Sequence, residues 1–121
     1  MPNLSSAGQH PRVSVVMPCL NEEQTLAACL EKAQRALDTL EIEGEIIVAD
    51  NGSTDASLDI ARAHQARIVE EPARGYGNVY RAGIAAARGE FIIIGDSDDS
   101  YDFGDIPRFV RELENGYDVV M

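Results

Sequence analysis

The sequence has few basic residues for its length. Ten lysine and arginine residues stand against 21 acidic ones, which gives a formal net charge of −11 over 121 residues. Proteins that bind nucleic acid need a clustered basic surface, so we expect no nucleic-acid partner. An anionic phosphate ligand would also be repelled unless a cation bridged it to the carboxylates.

Cysteine and histidine are scarce, and there is no long apolar run. Cys19 and Cys29 lack the spacing of a metal site and are typical of free thiols in a cytosolic protein. His10 and His64 are too few and too far apart for a histidine triad or a zinc site. No apolar run approaches the roughly 18 residues of a membrane span, and residues 1–11 lack the apolar core of a signal peptide. We therefore expect a soluble, cytoplasmic chain, lying at the cytoplasmic face of the membrane if a longer protein carries membrane helices.

Glycine-rich nucleotide loops are also missing. The segment after the first predicted strand, residues 18–23, contains no glycine, whereas a Rossmann dinucleotide site needs G-x-G-x-x-G there. The G-x-x-x-x-G-K-[ST] phosphate loop is absent as well. Both of these ordinary nucleotide-binding folds are disfavoured.

What is present is an alternation of short apolar strands and amphipathic helices. After a loose leader, residues 1–12, the pattern predicts five strands with a helix between each pair, which favours an α/β fold with a mostly parallel sheet and helices on both faces. Asn21 is predicted to cap the first helix, and Ser53 or Thr54 the second. The predicted strands are 13–17, 45–49, 66–70, 91–94 and 117–121, and the predicted helices run from Asn21 to about 40, from Ser53 or Thr54 to about 64, over 78–87 and over 106–113.

An acidic loop follows the buried strand 91–94. Five aspartates occur within ten residues, a density that is costly unless a hard cation such as Mg²⁺ or Mn²⁺ neutralises it. A solvated acidic loop is the alternative, but ligands of open α/β sheets bind at the carboxyl ends of the strands, which favours the metal. A calcium hand is excluded, because Tyr101 and Pro107 stand where its glycine and glutamate are required. The aspartates are Asp96, Asp98, Asp99, Asp102 and Asp105.

Three other loops follow predicted strands and would lie at the same edge. Asp50 could accept a hydrogen bond from a nucleobase beside the tight turn at Gly52, or could only begin that turn. Glu22 could contact a ligand or only complete the start of its helix. Arg74, in a glycine-bearing loop, is the best-placed cation for a phosphate.

Four segments in order, VSVVMPCLNEE, EIIVADNGSTD, RGYGNVYRAGIAAARGE and FIIIGDSDD, resemble the family 2 glycosyltransferases with the GT-A fold. The resemblance covers residues 13–121 and is strongest to bacterial polyprenyl-phosphate glycosyltransferases similar to dolichol-phosphate mannose and glucose synthases. It implies a metal-dependent, inverting transfer of a sugar from a UDP- or GDP-sugar to an acceptor such as a polyprenyl phosphate.

The resemblance also implies residue roles. Asp98, in an Asp-x-Asp motif, would be the principal ligand of Mg²⁺ or Mn²⁺, with Asp96 near the metal and the ribose or sugar. Asp50 would bind the base. The full set predicted to bind the nucleotide-sugar is Pro18, Leu20, Glu22, Asp50, Gly52, Ser53, Arg74, Asp96 and Ser97.

Two departures from the family pattern affect these expectations. Asn51 stands where relatives often have a second aspartate, so a charge is missing at the nucleotide end. The acceptor-side segment, which in many relatives carries the catalytic base, would lie beyond Met121, so we expect this chain alone to bind a nucleotide weakly, to turn over poorly or not at all, and to self-associate through an exposed strand edge. The alternatives are a nucleotidyltransferase-like enzyme and a non-catalytic module that binds a nucleotide or metal.

Overall fold

A four-stranded parallel sheet forms the centre of the protein in the computed structural model, which describes residues 11–95 together with Arg108, Val110 and Arg111. The strand order is β3-β2-β1-β4, and all neighbours are parallel. The predicted parallel sheet is confirmed, whereas the predicted fifth strand, residues 117–121, lies outside the described residues. The strands are β1 (Val13–Cys19), β2 (Gly44–Asp50), β3 (Arg67–Glu70) and β4 (Phe91–Ile94).

Helices pack on both faces of this sheet, as the sequence predicts. The helix between β1 and β2, α1 (Leu26–Leu40), and the helix between β2 and β3, α2 (Ser57–Ala63), contribute to the core on one face. The third helix, α3 (Tyr76–Ala86), packs on the opposite face through the buried Val79. Val110, in a helical segment, joins the core on the α1 side.

The central strand β1 explains why the core divides in this way. All seven of its residues are buried, as expected for a strand covered by helices on both faces. Because alternate side chains point to opposite faces, Val15 and Met17 pack with α1, while Val16 packs with Ile47 and Val79 on the α3 side.

The strand β1 continues to Cys19, so the predicted end of this strand at residue 17 was wrong. The N–H of Gly95 donates to the carbonyl of Val16, so the backbone polar groups of Val16 face β4. Pro18 has the same orientation two residues further on, but the last residue pair between β1 and β4 is Val16 with Ile94. A proline is tolerated at that point because the β1–β4 ladder has already ended.

The predicted helix caps were also wrong. The first helix begins at Leu26, after Thr25, and Asn21 instead lies in a turn with a φ of 55°. The second helix begins at Ser57, after Ala56, so neither Ser53 nor Thr54 caps it. Asn21, Ser53 and Thr54 form contacts between loops instead. The third helix starts at Tyr76, two residues before its predicted start.

Glu45 joins the beginnings of three strands at the amino edge of the sheet. Its carboxylate accepts hydrogen bonds from Ser14 Oγ at 2.6 Å, from the Arg88 N–H at 2.7 Å and from Arg67 Nη1 at 2.5 Å. Burial raises the pKa of Glu45, but the bonds from Ser14, Arg88 and Arg67 outweigh this and hold the pKa below its ordinary value. These contacts fix the edge of the sheet opposite to the one where the predicted site lies.

Within the described part of the chain, no helix is both long enough and apolar enough to cross a membrane.

Candidate functional site

The strand order favours the carboxyl edge of the sheet as the position of a ligand site. From β1 the chain adds β2 and β3 on one side, and then crosses to add β4 on the other side of β1. Ligands of open parallel sheets bind outside the strand ends at such a reversal point. The loops after β1, β2 and β3, residues 20–25, 51–56 and 71–75, lie at this edge.

Asn21 connects the loop after β1 to the loop after β2. Its N–H donates to Ser53 Oγ at 2.9 Å, and its side-chain Oδ1 accepts from the Thr54 N–H at 2.7 Å. The N–H of Asp55 also donates to Oδ1, at 3.3 Å. One asparagine therefore pairs with three consecutive residues of the neighbouring loop.

Further bonds run in both directions between the same two loops. The Glu22 N–H donates to Ser57 Oγ at 2.9 Å, and the Glu23 N–H donates to Asp55 Oδ2 at 3.1 Å. In return the Ala56 N–H donates to Glu23 Oε1 at 2.9 Å. Partial burial raises the pKa of Asp55, but the hydrogen bonds from Ser57 and Glu23 lower it below its ordinary value. The two loops thus form one hydrogen-bonded unit before any ligand binds.

Asp50 builds the turn that follows β2. Its side chain is 1% exposed, and Oδ2 accepts from the N–H groups of Gly52 and Ser53 at 2.9 and 2.8 Å. Its other oxygen, Oδ1, accepts from Ser53 Oγ at 2.5 Å. This geometry agrees with the turn-forming alternative for Asp50, and its contact with a nucleobase stays a prediction.

The turn at Gly52 brings the loop after β3 close to the loop after β2. Gly52 has a φ of 105°, which residues with a side chain rarely adopt. A Cβ atom placed on Gly52 would lie 3.7 Å from Nη2 of Arg74. The structure therefore places the cation that was predicted to meet a phosphate beside the turn that Asp50 builds.

Asn51 was not predicted as a site residue. Its position in the sequence indicated only that a negative charge found in many relatives is absent here. Asn51 is 7% exposed, and its Nδ2 donates to the carbonyl oxygens of Glu71 at 2.8 Å and Ala73 at 3.0 Å. Its Oδ1 accepts from the Gly75 N–H at 3.0 Å. The Asn-Gly pair after a buried strand indicated a turn, but nothing local indicated that the amide side chain would join a third loop.

Three other predicted site residues, Pro18, Leu20 and Glu22, lie at or near this edge. Pro18 is buried inside β1, Leu20 is 38% exposed directly after it, and Glu22 is half-buried in the loop before α1. Asp96, Ser97 and Asp98 lie outside the described residues. Among the residues that are described, no group of three or more histidine, cysteine, aspartate or glutamate side chains could hold a metal ion, so the metal site stays a prediction.

Comparison with known families decides the identity of this fold. The family model described as glycosyl transferase family 2 matches residues 14–121. The chain belongs to glycosyltransferase family 2. The resemblance drawn from the four sequence segments is thereby confirmed.

Curated hexose transferases are similar to most of this chain. A low-salt glycan biosynthesis hexosyltransferase of Haloferax volcanii is 41% identical over 106 residues, which are 88% of this chain and 25% of that protein. A dolichyl-phosphate hexose transferase of the same organism is 34% identical over 108 residues, covering 89% of this chain and 46% of that protein. The chain therefore spans between a quarter and about half of these relatives.

A solved glycosyltransferase structure has the same fold. Glucosyl-3-phosphoglycerate synthase from Mycobacterium tuberculosis, in complex with Mn²⁺, UDP-glucose and glycerol 3-phosphate, superposes with a TM-score of 0.75 at 30% identity. The match covers 93% of this chain and 43% of that protein. The predicted GT-A-like architecture is confirmed over most of the chain.

Proposed function

We propose that this chain holds the sugar donor of a metal-dependent, inverting glycosyltransferase that transfers a hexose from a nucleotide-sugar to a polyprenyl phosphate. The observation that carries the proposal is the set of three loops, 20–25, 51–56 and 71–75, held together by side-chain hydrogen bonds at the carboxyl edge of the sheet. A site that is rigid before the ligand arrives loses less conformational entropy on binding.

The base and ribose are assigned to the first two of these loops. Leu20 supplies an exposed apolar surface where β1 ends, and Glu22 follows it in the loop. The carboxylate of Asp50 is used within its own turn, so its role toward the base combines shaping the turn with accepting from a ring N–H. Pro18 and Ser53 complete this end, Ser53 through the loop that its hydroxyl holds.

The diphosphate is assigned to the space beside Gly52. The absence of a side chain at Gly52 keeps this side of the turn open, and Arg74 supplies a positive charge there. In the described part of the chain, no hydrogen bond or ion pair engages the Arg74 guanidinium, which leaves it for a phosphate oxygen. Guanidinium groups bind phosphate with paired, charge-assisted hydrogen bonds.

A divalent cation is assigned to Asp96 and Asp98, which with Ser97 follow β4 in the sequence after Gly95. A protein with a formal charge of −11 needs a cation between its carboxylates and a diphosphate. When bound, such a cation offsets the negative charge that builds on the departing nucleoside diphosphate. The Mn²⁺ found with UDP-glucose in the solved relative supports this assignment.

The donor and acceptor follow from the relatives. The solved relative binds UDP-glucose, which favours UDP over GDP. The name of the dolichyl-phosphate hexose transferase supports a lipid phosphate as acceptor. A phosphate oxygen is already ionised near pH 7, so the attack on the anomeric carbon needs no strong general base.

Calorimetric titration of UDP, GDP and CDP, with and without Mn²⁺, tests the donor site. We expect UDP to bind only when Mn²⁺ is present, Asp98→Ala to abolish this binding, and Asp38→Ala, an exposed position on α1, to preserve it. Metal-dependent binding that persists in Asp98→Ala would overturn the role of Asp98. Failure of all three nucleotides to bind to the folded chain would overturn the donor-site proposal for this chain.

A further inference from the structure

We infer that Asn51 is the positioning residue that holds Arg74 beside the turn at Gly52. The inference goes beyond the roles assigned to the site, although its consequence for ligand binding rests on the proposed function. Asn51 is 7% exposed, and each polar atom of its side chain is hydrogen-bonded to the loop after β3.

The three bonds of Asn51 enclose Arg74 within its own loop. Nδ2 donates to the carbonyls of Glu71 and Ala73, which precede Arg74, and Oδ1 accepts from the N–H of Gly75, which follows it. Both neighbours of Arg74 in the chain are therefore fixed to the end of β2. Since Gly52 is the next residue after Asn51, this arrangement holds the backbone that carries Arg74 close to the turn.

The chemistry of the side chain explains why an asparagine suits this position. Carbonyl oxygens are acceptors only, so the two bonds from Nδ2 require a donor, which an ionised aspartate lacks. An aspartate at position 51 could still accept from the Gly75 N–H, but its second oxygen would face the carbonyls of Glu71 and Ala73 in a buried setting. The aspartate oxygen and the two carbonyl oxygens would repel one another, and both carbonyls would lose their hydrogen-bond donor. The neutral amide thus holds the loop that carries Arg74 without adding a negative charge near the guanidinium.

Two further contacts support the same loop without replacing Asn51. Asn78 Nδ2 donates to the carbonyl of Arg74 at 3.1 Å, and the Ala73 N–H donates to Glu71 Oε2 at 2.9 Å. Both contacts are internal to the segment between β3 and the first turn of α3. They shape the loop but do not attach it to the turn after β2, which leaves that attachment to Asn51 and to the backbone bond from the Glu71 N–H to the Asp50 carbonyl.

Limited trypsin digestion tests the positioning role without a nucleotide. Trypsin cuts after arginine, so the cleavage rate at Arg74 reports how tightly its loop is held, and Arg62 in α2 serves as the internal reference. We expect Asn51→Ala and Asn51→Asp to speed cleavage at Arg74 about tenfold while cleavage at Arg62 is unchanged, since only the local opening equilibrium shifts. Gln34→Glu, on the exposed face of α1, is the control for the amide-to-carboxylate change. An unchanged rate at Arg74 in folded Asn51 variants would overturn the inference.

If the Asn51 variants fail to fold, hydrogen exchange in the unaltered chain decides the same point. The Gly75 N–H and both Asn51 side-chain amide protons should then exchange slowly with solvent, because all three have partners. Exchange of these protons as fast as in an unstructured peptide would overturn the inference.

Titration of UDP and of uridine, both with Mg²⁺, connects Asn51 to the ligand. Asn51→Ala and Arg74→Ala should each weaken UDP binding about tenfold and change uridine binding less than about twofold, because only UDP carries the diphosphate. The double variant should bind UDP no more than about twofold more weakly than either single variant, because both remove the same contact. Equal losses for uridine and UDP, or multiplied losses in the double variant, would overturn the positioning role. If the unaltered chain binds no UDP, the proposed function fails, and the cleavage rate at Arg74 still decides whether Asn51 positions the loop.

Discussion

Gly83 marks the closest approach of α3 to the sheet, and its replacement by alanine should be destabilising. A Cβ atom at Gly83 would lie 2.5 Å from Cγ1 of Val16 and 3.3 Å from Cβ of Ala49, and both of these residues are completely buried. Val16 is β-branched and has little rotamer freedom, so the helix must move away. Such overpacking costs about 1–3 kcal/mol, offset by up to about 1 kcal/mol from the better helix propensity of alanine. We expect Gly83→Ala to lower the free energy of unfolding by about 1–2 kcal/mol.

Gly77→Ala is the matched control, because Gly77 lies in the same helix and a Cβ there would meet nothing within 4 Å. Its only expected effect is the gain in helix propensity, a stabilisation of up to about 1 kcal/mol. Urea unfolding followed by circular dichroism gives both values, with unchanged m-values as the check that the two states are comparable. In a Val16→Ala background the cost of Gly83→Ala should shrink, since the clashing methyl group is gone. A Gly83→Ala protein as stable as Gly77→Ala would refute the close packing of α3.

Three further predictions concern the two edges of the sheet. Glu45→Gln should lower the free energy of unfolding by about 2 kcal/mol at pH 7. Because the pKa of Glu45 is lowered in the folded state, the stability difference is complete above the ordinary pKa and disappears as the pH falls through the folded-state pKa. Equal losses of unfolding free energy at pH 7 and pH 3, measured by urea unfolding, would contradict this prediction. Gly52→Ala should lower the free energy of unfolding by about 1–2 kcal/mol, because residues with a side chain are strained at the φ of 105°. An unchanged melting temperature would contradict this backbone geometry. Asn21→Ala should lower the free energy of unfolding by about 1–2 kcal/mol, because it removes the acceptor for two loop N–H groups. Asn21→Gly tolerates the positive φ but still lacks the acceptor, so it should recover only part of this loss in the same unfolding assay.

The sheet and its helices could be predicted from the sequence because their signals are local. The apolar run of β1 and the spacing of Leu26, Leu30, Ala33 and Leu37 each identify an element without knowledge of its neighbours. Those four side chains are buried in α1, as the spacing requires. The alternation of such elements then favours one parallel architecture, which the structure confirms.

The ends of the elements and the loop contacts could not be predicted in this way. Asparagine is common at helix N-caps, yet Asn21 accepts a hydrogen bond from Thr54, 33 residues later in the chain. Asparagine is also common in turns, yet the Asn51 side chain donates a hydrogen bond to the carbonyl of Ala73, 22 residues later. Local sequence shows that an asparagine side chain needs partners, but the fold decides which backbone groups come within reach. The aspartates after β4 lie outside the described residues, so the sequence remains the basis for their assignment.

Chemical-shift mapping by two-dimensional NMR tests the location of the donor site most directly. UDP with Mg²⁺ would be titrated into isotope-labelled chain, with Mg²⁺ alone as the control, and the shifted backbone amides would be assigned to residues. We expect the largest shifts in the loops 20–25, 51–56 and 71–75, because these lie at the carboxyl edge of the sheet. We also expect shifts at Asp96 and Asp98, the metal ligands predicted from the sequence. Shifts confined to the opposite edge around Glu45, or to the groove of about 430 Å³ lined by Glu31 and His64, would contradict a nucleotide-sugar site at the carboxyl edge.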